Sequence, residues 1–77
     1  MLLNELKVGD QAKIIRIGDD VFRTKLLEMG IMQGTPVTLM LRAPFNGPLA
    51  FSYENTLLSI RYEDAHSILV EKMNMHQ

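Results

Sequence analysis

The period of the hydrophobic positions changes twice along the chain. Around "LKVGDQAKIIRI", Ala12 and Ile14 alternate with Lys13 and Arg16, the pattern of a half-buried strand that follows a Gly-Asp turn. The apolar face switches between the adjacent Ile14 and Ile15, which predicts a bulge or a strong bend. Asp19 or Asp20 can then cap a helix, accepting free N–H groups at the positive end of its dipole. From Val21 to Met29 the period becomes helical. Phe22, Leu26 and Met29 fall on one stripe, and Thr24 and Glu28 fall opposite. The spacing predicts a short helix over about residues 20–29, closed by Gly30 in a left-handed conformation. Gly34 is read as the turn that launches the next strand.

Beyond Gly34 the period is two. "TPVTLMLRA" puts Val37, Leu39 and Leu41 on one face, with Met40 and Thr38 turned outward. "APFNGP" is a turn, in which Asn46-Gly47 is expected to supply positive φ. Leu49, Phe51 and Tyr53 alternate with Ala50 and Ser52. "ENT" is a second turn, with Asn55 expected as its left-handed residue. Leu58 and Ile60 share a face. "YEDAH" is long enough for a single helical turn, and Ile68 and Val70 share a face in the last strand. Short strands with tight turns between them predict a mainly β domain, a small barrel or sandwich of five to six strands with one short helix. The ordered core is expected over about residues 6–71, with 72–77 as a flexible tail.

One stretch has a rival interpretation. "KLLEMGIMQGTPVTLMLR" fits helix-turn-helix, with Thr35 as cap and Pro36 at the first position of a second helix. Three features oppose it. Val37 and Thr38 are β-branched. Pro44 limits the second helix to about two turns, short for stability in water. Its outer face would show Thr38, Leu39 and Arg42, a poor set for reading bases and phosphates.

With 77 residues the chain is one domain, and 47% hydrophobic residues suffice for a core. The absence of cysteine removes disulfide and thiolate-metal frameworks and fits a reducing compartment. No apolar run approaches the roughly 20 residues of a membrane span, and "MLLNELKVGD" lacks the features of a signal peptide. A soluble, cytosolic domain is expected. Net charge is −1, without the basic surplus of a nucleic-acid binder. Residues 1–31 hold five acidic and five basic side chains, whereas 32–61 hold only Arg42, Glu54 and Arg61. That distribution suits a core with a contact surface better than a phosphate-tracking groove.

Candidate chemistry is sparse. Ser52, Ser59 and Ser67 lie in or beside strands, with no histidine at a suggestive spacing for nucleophilic catalysis. "GIMQG" lacks the Lys-Ser/Thr of a phosphate loop and follows a helix instead of opening one. Glu63, Asp64 and His66 are close in sequence, but within one turn they point apart, and a ferrous site needs converging ligands. "MNMH", with His76, offers thioether and imidazole groups for copper(I) but is better read as a loose tail. Neither an enzyme nor a resident metal or cofactor is expected.

The order of three segments resembles ferrous iron transport protein A, the FeoA family. They are "LKVGDQAKIIRI", "FRTKLLEMGIMQGTPVTLMLRAPFNGPLAF" and "TLLSIRYEDAHSILVE". The most telling elements are Leu-x-x-Gly-x-x-x-Gly before a strand (Leu26 or Leu27, Gly30, Gly34, Val37), then "RAPFNGPLAF", then "LLSIRYEDA". The resemblance runs from about Leu6 to Glu71. Gln33 departs from the family's usual proline, and Asn55 from its frequent glycine. The resemblance implies an SH3-like barrel and a non-enzymatic cytosolic accessory of the ferrous iron permease FeoB. The implied partner is that permease's GTP-binding domain, which would recruit the chain to the inner face of the membrane without its inserting there. A similar barrel closes iron-dependent repressors, giving an alternative role as a regulatory or nucleic-acid-binding module. Homo-oligomerisation through edge strands stays open.

On this view the functional element is a contact surface. Ile31 and Met32 flank the turn, Met40 and Arg42 lie on the strand, and Phe45 is held at a loop tip between Pro44 and Pro48. Exposed methionine and aromatic groups beside an arginine are typical of adaptable interfaces. SH3-type barrels also dock extended or proline-containing segments on aromatic-lined grooves.

Overall fold

The computed structural model describes residues 1–73. Five strands run β1 (Gln11–Ile17), β2 (Pro36–Arg42), β3 (Leu49–Tyr53), β4 (Thr56–Ile60) and β5 (Ile68–Lys72). Helix α1 (Asp20–Glu28) joins β1 to β2, and the single turn α2 (Tyr62–Ala65) joins β4 to β5. The strands form one antiparallel sheet in the order β4-β3-β2-β1-β5. The segment read alternatively as a second helix is strand β2. Its β-branched start and the pairing of Leu39 with Phe51 favour the sheet.

Every fully buried side chain among the described residues is apolar, so this core rests on packing. Ala12, Ile14, Leu39, Leu49, Phe51, Ile60, Ile68 and Val70 supply its sheet side. From α1 comes Leu26, with Phe22 half-buried beside it and Met29 left outside at 38% exposure. Asp19 caps the helix by accepting the Phe22 N–H at 2.8 Å. The first residues also belong to the core. Leu3 is buried in a 3₁₀ turn (Leu3–Glu5), and Met1 and Leu2 line the outer edge of β5 through bonds to Val70 and a bridge to Leu69. At the other end, β5 continues through Lys72, the first residue expected in the tail.

Two bulges shape the sheet. The one anticipated in β1 falls between Ile14 and Arg16, where the pairing with β5 shifts by a residue. It keeps Ile14 and Ile17 inside and turns Ile15 and Arg16 to the flank. The second falls in β2 between Leu39 and Leu41. Strict alternation would bury Leu41, but the inserted Met40 reverses its face and leaves it 63% exposed.

Both later turns place positive φ one residue earlier than the sequence suggests. In the β2–β3 hairpin it falls on Phe45 (59°) and Asn46 (57°), not on Gly47. The Gly47 N–H donates to the Pro44 carbonyl at 3.1 Å, so Phe45 and Asn46 are the two central residues of a type I′-like turn. Gly47 is needed for space: a Cβ there would meet the Ala43 Cβ at 2.8 Å. In the β3–β4 hairpin Glu54 has φ 53°, and Asn55 is not left-handed. Glu54 and Asn55 thus form a two-residue hairpin loop whose first residue carries the positive φ.

Candidate functional site

The end of α1 sets the fate of the first predicted contact residues. Gly30, at φ 88°, donates its N–H to the Leu27 carbonyl, and Ile31 donates to the Leu26 carbonyl, both at 2.9 Å. This pair of bonds is a Schellman motif, whose residue after the glycine packs back on the last turn of the helix. Ile31 is therefore buried at 2% exposure with Leu26, and the expectation that the turn displays it is corrected. Met32 follows outside, half exposed, its N–H held by Thr35 Oγ1 at 3.0 Å. The Tyr53 hydroxyl donates to the Met29 carbonyl and ties this turn to β3.

Arg42 has a structural task. Its guanidinium donates to the carbonyls of Asn4, at 2.7 Å, and of Leu6, clamping the 3₁₀ segment over the sheet. The hairpin tip that begins one residue later is different. Phe45 is 99% exposed, flanked by the exposed Pro44 and Pro48, and Met40 is half exposed at the bulge. The predicted contact set thus separates. Met40, Pro44, Phe45 and Pro48 gather at one end of β2. Met32 lies beyond the other end of the strand, whose seven residues span about 23 Å at about 3.3 Å per residue.

Cross-strand register extends the hairpin surface to residues that sequence reasoning missed. On the outer face Thr38, Ser52 and Leu57 lie in one row, and Leu41, Ala50 and Ser59 in the next. None of the six is charged, and Leu41 and Leu57 are 63% and 68% exposed. The signal for Leu57 was present, because burying Leu58 and Ile60 requires Leu57 to face away. Leu41 gave no such signal, because Met40 and Leu41 are both apolar and either parity fits.

The acidic–histidine cluster does not converge. The Nδ1 of His66 lies 2.9 Å from the Tyr62 carbonyl, and its ring packs edge-on against Tyr62. Asp64 pairs with Arg61 at 3.1 Å. Among the described residues no group of three or more histidine or carboxylate side chains is arranged to hold a metal ion. Met75 and His76 lie outside those residues. Also among them, no helix is long and apolar enough to cross a membrane. The Asp10 carboxylate is perturbed. Asp10 accepts the Lys7 N–H at 2.8 Å and lies 3.6 Å from Lys72 Nζ, and first the amide, then the ammonium, hold its carboxyl below the usual range.

A five-stranded antiparallel sheet with a short helix, an apolar core and an outer face uncharged across those two rows of β2, β3 and β4 defines a small SH3-like β domain. The FeoA domain model matches residues 1–72, and the chain belongs to the FeoA family. It is 43% identical over 72 residues to the Fe(2+) transport protein A/Fe(2+) transporter FeoB fusion protein of Porphyromonas gingivalis. That match covers 92% of the chain but only 8% of the fusion protein. The solution structure of the FeoA protein from Chlorobium tepidum superposes with a TM-score of 0.90 at 27% identity, over 100% of this chain and 74% of that one. Stenotrophomonas maltophilia FeoA, solved with zinc and described as a procaryotic SH3 domain protein, gives a TM-score of 0.79 at 25% identity, over 92% and 89% of the two chains.

Proposed function

We propose that this chain is a non-enzymatic accessory of ferrous iron uptake that docks on the cytosolic GTP-binding domain of a FeoB-type permease and modulates it. The observation that carries this is the Porphyromonas gingivalis relative, in which the two names belong to one polypeptide. Fusion holds two modules at high effective concentration, the arrangement expected of modules that act on one another through a contact surface. The hairpin is the best candidate for that surface. It presents Phe45, Met40 and Leu41 next to an uncharged sheet face, with Pro44 and Pro48 fixing the tip. A large aromatic group at 99% exposure in a left-handed conformation costs stability, and such costs concentrate where a side chain must be displayed. Docking there would bring a cytosolic chain to the inner face of the membrane without inserting it.

The test is an affinity measurement against the permease's soluble domain. Met40→Asp with Phe45→Ser should leave the fold intact and weaken association on the order of tenfold or more, the usual scale for hot-spot loss. Unchanged association by a folded double variant rules this surface out.

A further inference from the structure

A concave surface lies beyond the other end of β2, between α1 and the flank of β1. It is an open groove of about 300 Å³. Its apolar lining comes from Ile15, Leu27, Ile31 and Met32, and Arg16 and Arg23 lie on the same lining. The β1 bulge builds one wall: without the inserted residue, Arg16 would point into the core and Ile17 out of it. Helix α1 builds the other wall with a face separate from its core stripe. Leu26 is buried, while Arg23 and Leu27, four residues apart on one side, stay outside. The Schellman turn supplies the floor through Ile31 and the rim through Met32.

The groove therefore pairs an apolar base with two guanidinium groups. Arg23 already shares Asp20 at 2.6 Å, whereas Arg16 has no ion-pair partner among the described residues. Arginine is the side chain best suited to grip a planar carboxylate through two parallel bonds. Leu27 and Met32 are 54% and 50% exposed on the apolar part, leaving room for an aliphatic side chain against them.

We propose that the α1–β1 groove docks an extended protein segment in which aliphatic and acidic side chains alternate, with an aliphatic group on Leu27 and Met32 and a carboxylate at Arg16. The inference stands apart from the hairpin surface, since it uses other residues and holds whether or not the permease is the partner of the hairpin. Charge complementarity selects the acidic occupant: Arg16, the charge on the lining left unpaired among the described residues, repels a basic segment and contributes no ion pair to a neutral one.

An isotope-labelled full chain titrated with the peptide acetyl-Glu-Leu-Asp-Leu-Glu-amide tests it by NMR. Shifts should concentrate at Ile15–Ile17, Arg23–Leu27 and Ile31–Gln33. The Gln/Asn isostere of the peptide should bind at least tenfold more weakly, and the acidic peptide should weaken at high salt. Arg16→Glu and Met32→Asp, both at exposed positions, should each abolish the shifts while the rest of the spectrum stays in place. Arg16→Lys should keep part of the affinity. Shifts confined to the β2–β3 hairpin, equal binding of the neutral isostere, or no shifts at millimolar peptide would each overturn the proposal. So would decanoate binding the same residues more tightly than the peptide, which would assign the groove to a small amphiphile.

Discussion

Two turns flank β2, and they handle the same backbone demand in opposite ways. Both need positive φ. The turn before the strand places it on Gly30 and Gly34, at 88° and 92°, and uses the freedom to tuck Ile31 into the core. The turn after the strand places it on Phe45 and Asn46, and Phe45 ends up almost wholly in solvent. Glycine occupies a left-handed position without the Cβ penalty, whereas other L-residues pay roughly 1–2 kcal/mol there. The first turn is therefore optimised for closing a helix. The second accepts strain and holds out an aromatic ring, as the proposed docking role of the hairpin requires.

The contrast can be broken most forcefully at Ile31. Ile31→Ala should cost about 2–5 kcal/mol, the range for an aliphatic side chain truncated in a packed core. A denaturant titration reads this directly, and a loss below about 0.5 kcal/mol would mean that Ile31 is not anchored by the Schellman turn. Gly30→Ala should come next, at about 1–2 kcal/mol, because the added Cβ must occupy φ 88°. Space does not oppose it, since the nearest atom to that Cβ is the Tyr53 hydroxyl at 4.0 Å. The cost should therefore be conformational, and Gly30→Asn should recover part of it.

The smallest effect concerns the turn before β1. Asp10 has a folded-state pKa below its ordinary 3.8. Its contribution to stability is fully present above the ordinary value and is lost as pH falls through the depressed one. Acid unfolding followed below about pH 4 should be shallower in Asp10→Asn than in the parent chain. An identical acid limb in both would remove the Lys7 amide and Lys72 as partners of that carboxylate.

Most of the fold was legible because local signals agreed. Gly30 marked a stop that appears where expected, the structure selects Asp19 from the two cap candidates Asp19 and Asp20, and the paired Ile14 and Ile15, read as a bulge or a bend, form a bulge. The candidate contact surface was legible only in part. Exposure at Met40 and Phe45 followed from alternation and turn chemistry. Burial of Ile31 also had a local cause, since a glycine stop predicts that the next residue folds back on the helix; the rule had simply to be carried one residue further. The β2 bulge had no such cue, because "LML" is apolar in either register. The grip of Arg42 on Asn4 and Leu6 spans more than thirty residues of sequence, and no periodicity reports a contact of that range.

The central claim is that the β2–β3 hairpin gives up stability to display Phe45. Phe45→Gly tests both halves at once, by a thermal melt and by titration against the permease's soluble domain. The account predicts a chain more stable by about 1 kcal/mol, since the left-handed penalty is relieved, with association weakened at least tenfold. Association at the parental level, or a chain less stable than the parent, would contradict it.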